Sequence, residues 1–272
     1  METLIKLYEF ESVHGTKDET AIADFVEKFL EEYGRTFTRV GNSLFSLDSP
    51  EAPIFSAHLD QVKTNGKAEH FVLTPEGYIQ GYTKNWQRTS LGADDKNGVW
   101  LILKLIESGA DINFIISEGE EVGCVGISQL ESLGHLKAIT TDMFCIVLDR
   151  RGNDEILKSG AGTTFCSTLA QDLCNFLGGY KTASGSVSDT VTLCKYCESV
   201  NMSVAYHEPH TGKEYTDWER LQEILDDLKL VVDMFVHYST PPSVYRSSVT
   251  PYYSSRSSGR SSLYDWRDGY DY

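Results

Sequence analysis

The chain has 272 residues, 40% of them hydrophobic and 24% charged, which is the composition of an ordinary globular protein able to build one good core. Its formal charge of −16 excludes non-specific binding to nucleic acid, whose phosphates it would repel. No apolar run reaches the roughly 20 residues of a membrane helix, and residues 1–10 carry acids without a long apolar core, so neither a membrane span nor a secretory signal is expected. Six scattered cysteines, among them Cys145, Cys166 and Cys174, suit a reducing compartment, so a cytoplasmic location is expected.

In chain order, the first predicted element is an amphipathic helix over residues 18–33. Ile22, Phe25, Val26, Phe29 and Leu30 recur at helical spacing and Gly34 stops it. Residues 36–47 read as a hairpin turning at Gly41-Asn42. Residues 52–57 read as a short apolar strand that delivers His58 at its end, and residues 71–82 as a second hairpin around Pro75-Glu76-Gly77. A helix over 95–107, a strand over 112–117 and a helix over 122–133 follow. The strand predicted over 143–148 is almost wholly apolar, as in a sheet covered on both faces. Helices over 163–177 and 188–197, a strand over 200–205 and a long helix over 215–238 complete the list.

Residues 239–272 differ in kind. Paired serines at 247–248, 254–255, 257–258 and 261–262 are interspersed with Tyr, Arg and Pro, and aliphatic side chains are almost absent. Such a segment buries too little surface to offset its ordering entropy, so a disordered tail is expected. The rest alternates strands and helices. That predicts a single domain over residues 1–238, a three-layer α/β/α sandwich around a mixed, mostly parallel sheet. In such sheets functional side chains gather at the carboxyl ends of the strands.

Five segments carry metal-ligand side chains, four of them after apparent strands (residues 56–60, 117–123, 147–152 and 206–211) and one, residues 91–98, opening a helix. His58 and Asp60 form a His-x-Asp unit in which the carboxylate can accept the second ring N–H and fix the tautomer. In Gly92-Ala93-Asp94-Asp95 one carboxylate can bridge two metals and the other cap the following helix; Asp94 is assigned to the metals. Adjacent glutamates diverge, so Glu121 is read as a ligand and Glu120 as a general base. Glu118 is read as solvated. Asp149 ends an apolar strand, and Arg150 or Arg151 after it can grip a substrate carboxylate. His207 and His210 compete to complete the second metal, with His210 favoured because its loop can swing back over the site. Ser188 or Asp189 is read as a helix cap. Cys194-x-x-Cys197 lacks the second pair or histidine of a zinc site.

The five segments, in this order, resemble the co-catalytic zinc exopeptidase superfamily, which includes peptidase T, glutamate carboxypeptidases and bacterial leucine aminopeptidases. The match runs from His58 to Glu214, and residues 91–98 and 120–123 are its most specific stretches. The resemblance implies His58 and Asp149 on one zinc, Glu121 and His210 on the other, and Asp94 bridging. It implies Asp60 as the orienting acid and Glu120 as the base, and it places Ser-Asp turns like Ser188-Asp189 near the site, with Asp189 lining the substrate pocket. The His-Thr-x-x-Glu run from His210 to Glu214 resembles the family's closing motif and supports His210 over His207. Many members carry an extra lid or dimerisation domain; residues 150–209 leave no room for one, so the compact form is expected.

The expected activity is therefore metal-assisted hydrolysis of a peptide or amide bond in a small substrate. Two divalent ions are implied, zinc first, with cobalt or manganese as alternatives. The competing readings are an N-acyl amino acid deacylase and a non-catalytic binding module that keeps the fold.

Overall fold

In the computed structural model residues 1–235 are described, so the predicted tail over 239–272 lies outside the described residues. The elements are α1 (Glu2–Tyr8), α2 (Lys17–Glu32), β1 (Thr38–Val40), β2 (Ser43–Ser46), β3 (Ile54–His58), β4 (His70–Leu73), β5 (Tyr78–Tyr82), β6 (Arg88–Thr89) and α3 (Ala93–Glu107). They continue with β7 (Asn113–Ser117), α4 (Val125–Leu133), β8 (Phe144–Arg150), β9 (Glu155–Gly160), β10 (Thr163–Thr164), α5 (Leu169–Leu177), β11 (Lys181–Gly185), α6 (Thr190–Leu193), β12 (Glu198–Ser203), β13 (Tyr206–His207), β14 (Tyr215–Asp217) and α7 (Trp218–Phe235).

Nine strands form the main sheet in the order β1-β2-β7-β3-β8-β12-β9-β10, with β11 also on β9. The four central strands β7, β3, β8 and β12 are parallel, and antiparallel pairs flank them, so the sheet is mixed as expected. Alternation along the central strands splits the apolar residues between two cores. Phe55, Phe114, Ile116, Ile146, Leu148, Val200 and Met202 pack with α1, α2, α3, α5 and α7. Ile54, Ile115, Cys145 and Val147 pack on the other face with Ile127, Leu130 and Leu193 from α4 and α6. One sheet with an apolar core on each face is the three-layer sandwich. Helix α3 lies very close to the sheet: a Cβ on Gly98 would sit 2.2 Å from the Leu148 carbonyl oxygen, so only glycine fits there.

Several boundaries differ from the sequence expectation. Thr163–Thr164 pairs with Ser159 and Gly160, so the predicted helix over 163–177 starts only at Leu169. Residues 215–217 pair with β5 before α7 begins at Trp218. The helix expected over 122–133 starts at Val125, because residues 118–124 form a loop with left-handed backbone at Gly119, Gly123 and Cys124. The helix expected over 188–197 is reduced to four residues, Thr190–Leu193. The hairpin expected over 71–82 forms as β4–β5; not foreseen were α1, the β9–β11 extension of the sheet, and the joining of that hairpin by β14, β13 and β6 into a second sheet. Pairing partners far apart in sequence leave little local periodicity to read.

No helix among the described residues is long and apolar enough to cross a membrane.

Candidate metal centre

Parallel register brings the candidate residues level. His58 at the end of β3 is opposite Ser117 at the end of β7, so the loop bearing Glu120 and Glu121 leaves the sheet beside it. Ser56 is opposite Val147, so His58 and Asp149, each two residues further on, face the same side. On the other side of β8, β12 ends at Ser203 opposite Arg150 and feeds the loop that carries His210. Ala205, Glu208 and His210 all have positive φ, His210 at 61°, and this left-handed path turns the His210 ring back over the strand ends.

The geometry is centred on Asp94. Its Oδ1 lies 3.4 Å from His58 Nε2, and its Oδ2 lies 3.1 Å from His210 Nε2. Asp149 Oδ1 is 3.6 Å from the same His58 nitrogen, and Glu121 Oε1 is 2.8 Å from the same His210 nitrogen. Two groups of candidate ligand atoms result, His58–Asp94–Asp149 and Asp94–Glu121–His210, each with its atoms within 4.8 Å of one another and sharing Asp94. Asp95 points elsewhere: its Oδ2 accepts the His58 N–H at 3.1 Å and its Oδ1 accepts the Gly98 N–H at 3.2 Å, the capping bond expected of one member of the pair.

Asp60 is fully buried and works in two directions. His58 Nδ1 is 3.0 Å from the Asp60 carbonyl oxygen and 3.3 Å from Oδ1, which places the proton on Nδ1 and turns the Nε2 lone pair toward Asp94 and Asp149. The same carboxylate accepts the N–H groups of Glu120 at 2.9 Å and Glu121 at 3.1 Å, so it also holds the loop that presents both glutamates. Asp149 receives the Tyr206 hydroxyl at 3.3 Å, and its N–H donates to Asn201 Oδ1 at 3.3 Å.

The donor set fits divalent cations. Among the described residues no lysine or arginine forms an ion pair with Asp94, Asp149, Glu120 or Glu121; the ion pairs of the cluster run to His58 and His210 alone. Burial raises the Glu120 carboxyl well above the usual range, with Asp149 adding to it, and burial lifts Asp149 to about 7. His210, despite burial, is raised to about 11 by hydrogen bonds to Asp94 and Glu121. Buried carboxylates packed this tightly repel each other unless a proton or a cation lies among them. The metal-free protein is therefore expected to lose stability as pH rises. A carboxyl protonated in the folded state up to about pH 7, against an ordinary value of 3.8, favours folding at acid pH and loses that contribution between about pH 4 and 7. Melting chelator-treated protein at pH 5 and pH 7.5 checks this: the midpoint falls at the higher pH, and added zinc reverses the fall.

Other candidates sit differently. His207 is half-buried, stacked on Tyr215 with centroids 4.7 Å apart, and its Nε2 is 3.0 Å from Asn153 Oδ1, so it is in neither ligand group. Arg150 is tied to Glu155 through Nε at 2.9 Å and Nη2 at 2.7 Å, whereas Arg151 is exposed. Both line an open cleft with Glu155, His207 and Glu208. Asp189 is buried and accepts the Ser117 hydroxyl at 2.5 Å; it makes no side-chain cap, and Ser188 Oγ is what the Thr190 N–H reaches, at 3.4 Å. Glu118 is partly buried and accepts the Asn42 N–H at 3.1 Å rather than standing in solvent. Cys194 and Cys197 belong to no metal-ligand group among the described residues. Sequence reasoning missed Tyr206, Asn201 and the role of Glu214; only Glu214 carried a signal, its place in the His-Thr-x-x-Glu run.

No family model and no curated protein matches the chain. Solved structures do. A tripeptidase from Staphylococcus aureus is 15% identical with a TM-score of 0.68, the match covering 87% of this chain and 97% of that one. An aminopeptidase from Bacillus cereus is 16% identical with a TM-score of 0.68 and the same coverage, 87% and 97%. An aminopeptidase from the archaeon Desulfurococcus kamchatkensis is 14% identical with a TM-score of 0.62, covering 90% of this chain and 98% of that one. At these identities the likeness establishes a shared fold.

Proposed function

We propose that the chain is a di-metal hydrolase of the exopeptidase type, cleaving a peptide or amide bond of a small substrate. One observation carries the reading: the two oxygens of Asp94 face two histidines 152 positions apart in sequence (58 to 210), and beside each histidine lies one further carboxylate. His58, Asp94 and Asp149 would hold one metal, and Asp94, Glu121 and His210 the other. Divalent ions bound there, zinc or in its place cobalt or manganese, would polarise a carbonyl and lower the pKa of water.

The remaining chemistry belongs to the protein. Glu120 stands outside both ligand groups, with its backbone fixed by Asp60, and is free to take a proton and return it to the leaving amine. Burial raises its pKa, which makes it a stronger base once ionised and a usable acid afterwards. Asp60 keeps Nδ1 of His58 engaged so that Nε2 stays turned to the centre. The peptidases that share the fold support a peptide substrate. A cytoplasmic location is part of the same proposal: a reducing compartment would keep its six free cysteines reduced.

A second reading, an N-acyl amino acid deacylase, would rest on Arg151, which is exposed two positions after Asp149 and pairs with no acid among the described residues. The test strips the protein of metal, reloads it with zinc, cobalt or manganese, and screens dipeptides, tripeptides, amino-acid anilides and N-acyl amino acids. Metal-dependent release of a free amine from one panel is expected. A metal-loaded chain that hydrolyses none of them would instead be a binding module.

A further inference from the structure

We propose that Glu214 is a positioning residue for the metal centre: it sets the shared carboxylate Asp94 by gathering the backbone on which Asp94 stands. The inference rests on the di-metal reading above. Glu214 is 1% exposed, and no lysine or arginine forms an ion pair with its carboxylate among the described residues. Four donors surround that carboxylate instead. Oε2 accepts the Ser90 hydroxyl at 2.6 Å, the Leu91 N–H at 2.8 Å and the Ala93 N–H at 3.1 Å, and Oε1 accepts the Asp94 N–H at 3.3 Å. Ser90 Oγ accepts the Gly92 N–H at 2.9 Å, so every residue from 90 to 94 is bound to Glu214 directly or through one hydroxyl. Gly92, at φ 61°, supplies the left-handed turn that lets these N–H groups converge on one anion.

The far side of Glu214 is tied to the other ligand loop. It lies four residues after His210, its N–H donates to the Thr211 carbonyl at 3.3 Å, and its own carbonyl accepts Arg88 Nη2 at 3.1 Å. One buried side chain therefore links the loop carrying Asp94 to the loop carrying the histidine that faces Asp94 Oδ2. This matters more for Asp94 than for any other candidate ligand, because its two oxygens must reach two separate groups at once. A small shift of its backbone would favour one at the expense of the other. Residues that orient ligands in this way are worth about 10–100-fold in metal affinity.

The test compares the full chain with Glu214→Gln, which keeps the shape but replaces one acceptor oxygen with a donor that must oppose an N–H. Three measurements are made: zinc affinity by competition with a chromophoric chelator, the visible spectrum of the cobalt form, and thermal melting of the metal-free protein. A positioning role predicts zinc affinity about 10–100-fold weaker and an altered cobalt spectrum, beyond what the change in metal-free melting accounts for. Ser90→Ala removes one of the four donors and is expected to give a smaller loss in the same direction. If Glu214→Gln does not fold, Ser90→Ala decides by the same measurements. Native zinc affinity and a native cobalt spectrum in a folded variant, even one that melts lower, would overturn the proposal and leave Glu214 a purely structural residue. A wild-type chain that fails to take up two zinc ions would overturn the di-metal reading itself, before any variant is compared.

Discussion

Replacing Glu120 with glutamine is expected to leave metal uptake close to the native level and to lower kcat by about two to four orders of magnitude, the usual worth of a positioned general base. The reason is geometric. Glu120 belongs to neither ligand group, yet its neighbour Glu121 belongs to one, and both N–H groups are held by the same Asp60 carboxylate. The amide keeps the size and the backbone bond but cannot take a proton. Metal analysis and steady-state kinetics on the same preparation check the expectation. Undiminished turnover would remove Glu120 from the mechanism, and a loss of metal equal to the loss of turnover would make it a ligand.

The second large effect concerns Asp94. It is the residue common to both ligand groups, so Asp94→Ala is expected to cost both metals, whereas Asp149→Ala and His210→Ala should each weaken mainly one. Bound metal per chain, measured after gel filtration at limiting zinc, separates the three variants: near zero for Asp94→Ala, and intermediate for the other two. Turnover should be lost in Asp94→Ala even at high zinc, because the remaining groups keep one imidazole and one carboxylate each. Equal metal loss in all three variants would mean that the two groups are one site.

Much of this centre was legible along the chain because its pieces are local. His58 and Asp149 terminate apolar strands, and Asp94 stands at the start of a helix. The Glu120-Glu121 pair follows another apolar strand, and hydrophobic patterning locates such ends without knowledge of the partners. The choice of His210 over His207 was less local. It came from the loop argument together with the resemblance of the His210–Glu214 run to the family's closing motif, and the structure puts His207 against Tyr215 and Asn153. Arg150 and Arg151 were equivalent as letters; only the fold commits the first to Glu155.

What the sequence by itself determined is the chemistry available and its order: which acids and imidazoles exist, and that each sits where a strand or a helix ends. These follow from side-chain type and short-range periodicity, which act within a few residues. What only the tertiary structure decided is which oxygen of Asp94 meets which histidine, that Asp60 clamps the glutamate loop, and that Glu214 clamps the Asp94 loop from 120 positions away. Those contacts depend on strand register and on buried hydrogen bonds between distant segments. The free energy that selects them comes from packing and desolvation of the whole core, so no window of the sequence contains it.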